Sequence, residues 1–241
     1  MIVALICWYD ERPSWLAAAV SSAARICDHV VAVDGAYAHY PGGRRASSSG
    51  QHEAAVLAAE AAGVGLTLHV PPAVWAGDQV GKRAFMFDAG RLVARGADDW
   101  FFVLDGDEVL VDVPDDLHAR LAATTCDVAE VGVVDRYDPQ RRAMPAANSR
   151  RGPAEPMRVF RRLYRALPDL TVVGTHYGYQ AGGVDLWRRA PALDLSDMRI
   201  DHRKGRRAPE RNEAREAYYQ ERRRLNIEQP APARRRARSA A

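Results

Sequence analysis

"ADDWFFVLDGDEVL", Ala97 to Leu110, is the stretch that decides the fold of this chain. Its unbroken apolar run, Trp100 to Leu104, reads as a strand. The strand runs out into two aspartates and a glutamate, with a glycine between the aspartates. One aspartate at a strand end would be a capped turn. Three acidic side chains in four residues repel by more than capping offsets, unless a cation or a basic partner sits among them. An Asp-x-Asp pair in a loop offers hard oxygen ligands to Mg²⁺ or Mn²⁺ and leaves positions for phosphate oxygens. A calcium EF-hand is excluded, because Leu110 stands where its loop requires glycine and a strand precedes the loop in place of a helix.

Working outward, "IVALIC" is a first strand and "PSWLAAAVSSAARI" a helix opened by Pro13. "HVVAVDG" is a second strand ending at Asp34, and Ala36–Gly50 a polar loop. "QHEAAVLAAEAAG" is a helix stopped at Gly63, and "GLTLHV" a third strand. A helix is expected from Lys82 to Arg95, ended by Gly96, and then the fourth strand. This rhythm predicts an α/β fold with a mostly parallel sheet flanked by helices. Ligands bind such sheets beyond the carboxyl ends of the strands. Tyr9-Asp10-Glu11, Asp34 and Asp105-Gly106-Asp107-Glu108 should therefore converge on one rim. Farther on, "PDDLHARLAAT" reads as a helix and "CDVAEVGVVD" as a strand. Residues 136–156 read as a basic loop, "MRVFRRLY" and "LTVVGTHYGY" as two added antiparallel strands, and Pro209–Ile227 as a charged C-terminal helix.

At 241 residues, 47% hydrophobic and 27% charged, the chain has the composition of a globular protein with a sizeable core. No apolar run is long enough to span a bilayer. The apolar start lacks a basic n-region and is broken by Asp10, Glu11 and Arg12, so it reads as a strand and not a signal peptide. Cys7, Cys27 and Cys126 form no C-x-x-C pair, which argues against a disulfide framework or cysteine zinc site and for a cytoplasmic location. The net charge of +3 is uneven: residues 203–241 hold 13 Lys and Arg against 5 Glu, leaving 21 basic and 26 acidic residues in 1–202.

Two families share parts of this pattern. "FFVLDGDEVL" resembles the first motif of the haloacid-dehalogenase phosphatases, whose first Asp, here Asp105, is the nucleophile. That motif sits on the first strand of the family, whereas three strands precede it here. "VLDGDE" after "GKRAFMFDAGRLVARGADDWFF" resembles more closely the signature of GT-A glycosyltransferases of the family-2 type. "VALICWYDERPSWLAAAVSSAARICDHVVAVDGAY" is similar to that family's opening strand, helix and second strand. "MRVFRR", "VVGTHYGY" and "MRIDHRKG" are similar to later pieces of its small bacterial and phage members. The likeness covers about residues 1–225.

The glycosyltransferase resemblance implies a catalytic domain over 1–200, with a nucleotide-binding half 1–112 and an acceptor-side half 113–200. A helical extension over 201–228 and a disordered basic tail over 229–241 would follow. It implies a nucleotide-diphosphate sugar donor, Mn²⁺ or Mg²⁺, an unidentified acceptor and an inverting reaction. Asp107 would ligate the metal, and Asp105 would share it or hold the ribose. Glu108 would orient these two or face the acceptor. Asp34 would meet the base or ribose, Trp8 and Tyr9 would offer a face for the base, and Lys82 and Arg83 would approach the diphosphate or base. His202 would be a third metal ligand. His176 stands where the family shows His-Glu, with Tyr177 in place of the Glu. Asp135, Asp138 and Glu155 are the acceptor-side carboxylates from which a general base would come.

The arginine-rich end raises a rival, a non-catalytic polyanion-binding protein. Glu210, Glu213, Glu216 and Glu221, interleaved at helical spacings, argue instead for a solvated helix with internal pairs and against nucleic acid. The last residues would at most tether the chain to an anionic surface.

Overall fold

A computed structural model describes residues 1–76, 78–135, 157–173, 178–187, 190–203 and 209–224. The first half alternates as expected: β1 (Ile2–Cys7), α1 (Pro13–Ala23), β2 (His29–Val33), α2 (Ser49–Ala62), β3 (Gly65–His69), α3 (Asp78–Arg91) and β4 (Trp100–Asp105). Next come β5 (Glu108–Asp112), α4 (Leu117–Ala123), β6 (Val128–Asp135) and β7 (Met157–Arg165). The chain continues through β8 (Thr171–Val172), β9 (Tyr179–Ala181), β10 (Val184–Asp185), β11 (Leu193–His202) and α5 (Pro209–Arg224). Among the described residues no helix is long and apolar enough to cross a membrane, and all three cysteines are free.

Eight strands form one mixed sheet in the order β3-β2-β1-β4-β7-β6-β11-β5, and β8, β9 and β10 form a small second sheet. Strands β3, β2, β1 and β4 run parallel, as do β6 and β11, while β7 and β5 are antiparallel to their neighbours. The parallel strands β1, β2 and β4 are almost wholly buried because helices cover both faces, which is why they read as unbroken apolar runs. One face packs Ile6, Phe102 and Leu104 with Leu16 and Val20 of α1. The other packs Leu5, Val103 and Phe101 with Met86 and Phe87 of α3 and Tyr179 of the small sheet. Gly63 ends α2 at φ 66°, a conformation glycine adopts without a Cβ clash, and the next amide, Val64 N–H, closes on Ala59 O.

Strand β5 follows β4 after only Gly106 and Asp107, yet it lies four positions away, at the far edge of the sheet. In a flat sheet those strands would be about 19 Å apart, while the three peptide units from Asp105 to Glu108 reach about 11 Å at most. The sheet must therefore curl through β7, β6 and β11 until its edge returns to the end of β4. Register breaks in β11 between Leu195 and Arg199, and again at Arg199/Ile200, supply local bends. The sequence stretch expected as one strand, "LTVVGTHYGY", instead contributes β8 and β9, which pair with each other antiparallel.

Candidate functional site

The curl makes Asp105–Glu108 the meeting point of four elements. Gly106 N–H donates to Cys7 O at the end of β1, 3.2 Å, and Arg203 N–H, just past β11, donates to Asp107 O at 2.9 Å. Asp105 N–H donates to Glu108 Oε2 at 2.9 Å, closing the turn on itself. Glu108 Oε1 accepts from Arg162 of β7. A Cβ on Gly106 would come within 2.7 Å of Trp8 Cβ, just past β1, so any other residue would force Trp8 or the turn to shift.

The mutual repulsion of the three acids is relieved mostly by the protein's own cations. Arg83 Nη2 donates to Asp105 Oδ1 at 2.5 Å. Burial alone would raise the Asp105 carboxyl, but Arg83, then Arg162 and His202, outweigh it and hold that group well below the usual carboxylate range. Glu108 is fully buried against Arg162; burial, reinforced by the charge of Asp105, raises its carboxyl despite that partner. Asp107, also buried, has its Oδ2 3.3 Å from His202 Nε2. Asp107 and His202, far apart in sequence, are thus adjacent as expected. Among the described residues no three His, Cys, Asp or Glu side chains converge as a metal-binding group. What the sequence grouped as three ligands stands here as a pair beside a carboxylate held by Arg83.

A cavity of about 380 Å³ opens at this turn. Asp105, Asp107, His202 and Arg83 form one part of its wall, with Cys7, Trp8 and Tyr9 from the end of β1. Tyr37 and Tyr40 line it from the loop after β2, and Arg211, Arg215, Tyr218 and Tyr219 from α5. The α5 contribution corrects the expectation of a solvated helix. Tyr218 is 1% exposed, stacks on Tyr37 with ring centroids 5.7 Å apart, and bonds Asp78 through its hydroxyl. Arg222 pairs with Asp78 at 2.7 Å, and Arg211 with Glu11 at 2.8 Å. Of the expected internal helix pairs, Arg224 with Glu221 is present. The signal for docking was in the sequence, as two adjacent tyrosines in an otherwise charged helix.

Two expected binding residues are placed elsewhere. Asp34 does not line the cavity. It is fully buried, accepting from Ser47 N–H and Ser47 Oγ–H at 2.6 Å and lying 2.7 Å from His52 Nε2. Its carboxylate fastens the loop after β2 to the start of α2. Lys82 is also fully buried off the cavity, with Nζ donating to Trp8 O and, at 2.9 Å, to Gly35 O. Burial lowers its pKa to about 8. Lys82 thus braces the ends of β1 and β2, and of the two cations at this point of α3 only Arg83 reaches the cavity. Trp8 and Tyr9 do line it; Tyr9 meets Tyr40 edge-on at 5.4 Å and accepts from Arg44 N–H. His176, Asp138 and Glu155 lie outside the described residues, as does the side chain of Asp135. Arg162, Tyr37 and Tyr40 carry parts of the site that the sequence did not single out, whereas Glu11, expected at the rim, does line the cavity. No protein-family model matches the chain, and no curated protein matches it.

Proposed function

We propose that this protein is a metal-dependent glycosyltransferase that moves a sugar from a nucleotide-diphosphate donor to an acceptor. The observation that carries the proposal is the Asp105-Gly106-Asp107 turn, held at the carboxyl end of β4 beside His202 and opening into a cavity walled by tyrosines and arginines. The parallel β3-β2-β1-β4 half, the added antiparallel strands and the C-terminal helix support it too. Asp107 and His202 fit a hard divalent ion that tolerates imidazole, with phosphate oxygens and water as the remaining ligands. When bound, that ion would neutralise charge on the departing diphosphate. Arg83 keeps Asp105 ionised and aimed at the cavity. The Arg162–Glu108 pair anchors the turn from behind. Tyr9, Tyr37 and Tyr40 present ring surface for the base.

A second cavity of about 410 Å³ shares Tyr9, Glu11, Tyr40 and Arg211 with the first, giving an acceptor room beside the donor. In the phosphatase alternative Asp105 would attack phosphorus, but one of its oxygens is engaged by Arg83. In the polyanion-binding alternative α5 would present its arginines to solvent, whereas Arg211 and Arg222 are turned onto the body.

The deciding experiment is a melting-temperature screen against UDP-, GDP- and dTDP-linked sugars with and without Mn²⁺, with a CMP-linked sugar, which has no diphosphate, as the negative control. Ligand at a hundred times its Kd should raise Tm by about 5 to 10 °C. The proposal requires a rise for one donor, dependent on Mn²⁺ and abolished in Asp107→Ala. No rise for any donor, or one indifferent to both metal and Asp107, would overturn it.

A further inference from the structure

Three arginines line the cavity at the Asp105–Glu108 turn, and two of them are matched by carboxylates: Arg83 by Asp105, and Arg211 by Glu11 at 2.8 Å with Asp10 at 3.7 Å. Arg215 is different. It is half-buried in the cavity wall, and among the described residues no carboxylate pairs with it; its partner is the ring of Tyr219, 5.8 Å from the guanidinium carbon. A guanidinium in a partly enclosed site retains its five donors and its charge, and is weakly enough hydrated to exchange water for a phosphate or carboxylate. Tyr219 is fixed in turn by Gln79 Nε2, which donates to its hydroxyl at 3.3 Å. The ring therefore gives the arginine a preferred orientation without consuming its charge.

We infer that Arg215 is the phosphate-binding residue of this cavity, supplied by the C-terminal helix. The inference rests on the proposed donor class for its choice of ligand and deepens it: the diphosphate is gripped between the Asp107 side and α5. Helix α5 is then part of the binding site and not an appendage. Its docking through Tyr218–Asp78 and Arg222–Asp78 sets where the guanidinium stands.

The test measures binding of UDP, GDP and inorganic pyrophosphate, with and without Mn²⁺, to the full chain and to Arg215→Met by calorimetry. Arg224→Met serves as a same-helix charge control, since Arg224 pairs with Glu221 and does not line the cavity. Loss of one charge-assisted contact should weaken the best phosphate ligand about tenfold or more in Arg215→Met. Arg215→Lys should recover part of that loss, and Arg224→Met should leave affinity unchanged. Because the ring that Arg215 meets, Tyr219, belongs to the same helix, and among the described residues no ion pair joins Arg215 to the body, the melting temperature of the unliganded variant should stay at that of the parent. Parent-level affinity in Arg215→Met, or an equal loss in Arg224→Met, would overturn the inference while leaving the donor class standing. Pyrophosphate bound through Arg215 with no nucleotide bound would keep the inference and remove the donor class. No phosphate compound bound by the parent would remove both.

Discussion

Replacing Lys82 by Met gives a pH signature whose size follows from the geometry. Lys82 is fully buried, and burial lowers its pKa from 10.5 to about 8, with Trp8 O and Gly35 O as its acceptors. A lysine whose folded pKa lies below its unfolded value binds fewer protons when folded, so it costs stability while charged. The cost is fully present below pH 8 and disappears as pH rises toward 10.5. A displacement of that size corresponds to a cost of about 3 kcal/mol at pH 7 and about 1 kcal/mol at pH 10. Lys82→Met removes the cost at every pH. It also leaves two buried carbonyls without their donor, a loss of about 1 to 3 kcal/mol each that does not vary with pH. The two effects nearly offset at pH 7, and the variant should fall progressively behind the parent by about 2 kcal/mol more at pH 10. Urea unfolding of both proteins at pH 7, 8, 9 and 10 reads this difference. Parallel stability curves, or a variant that gains on the parent as pH rises, would refute the reasoning.

Two further predictions concern the turn. Arg162→Met should destabilise the protein by about 3 to 5 kcal/mol, because it strands the buried Glu108 carboxylate; pairing it with Glu108→Gln should recover most of that in the same urea assay. Less than about 1 kcal/mol lost in the single variant would mean that Glu108 is not held as described. Gly106→Ala must displace Trp8 or the turn, costing about 1 to 3 kcal/mol. It should also abolish nucleotide-induced stabilisation, so retained ligand response in that variant would count against the turn as the site.

The parallel half was legible because β1, β2 and β4 are buried on both faces and leave apolar runs between polar turns. Strand β5 was not, since it opens on Glu108, a buried charge whose reason is Arg162 on a strand far along the chain. Strand β11 was hidden by its own irregularity: bulges break the period of two, and Asp194, Asp197 and Asp201 give it the look of a loop. Local sequence also misled at Asp34, which ends a strand as a ligand would but is occupied by Ser47 and His52. The Asp107–His202 adjacency was anticipated through family resemblance. That Arg83 and Arg162 supply the positive charge demanded by the acidic turn was beyond pattern, because each is an ordinary arginine until the sheet curls.

That curl also fixes the order in which competence is acquired. Strand β5 emerges from the ribosome directly after β4, but the strand it pairs with, β11, is made only after α4, β6 and β7. A nascent chain can therefore assemble the β3-β2-β1-β4 platform early from short-range parallel units, while Asp107 and Glu108 dangle from its margin without His202 or Arg162. Closing so long a loop is entropically slow. Ligand affinity should accordingly be the last property to mature, appearing only once β11 has zipped into place and α5 has docked behind it, well after the bulk of the secondary structure.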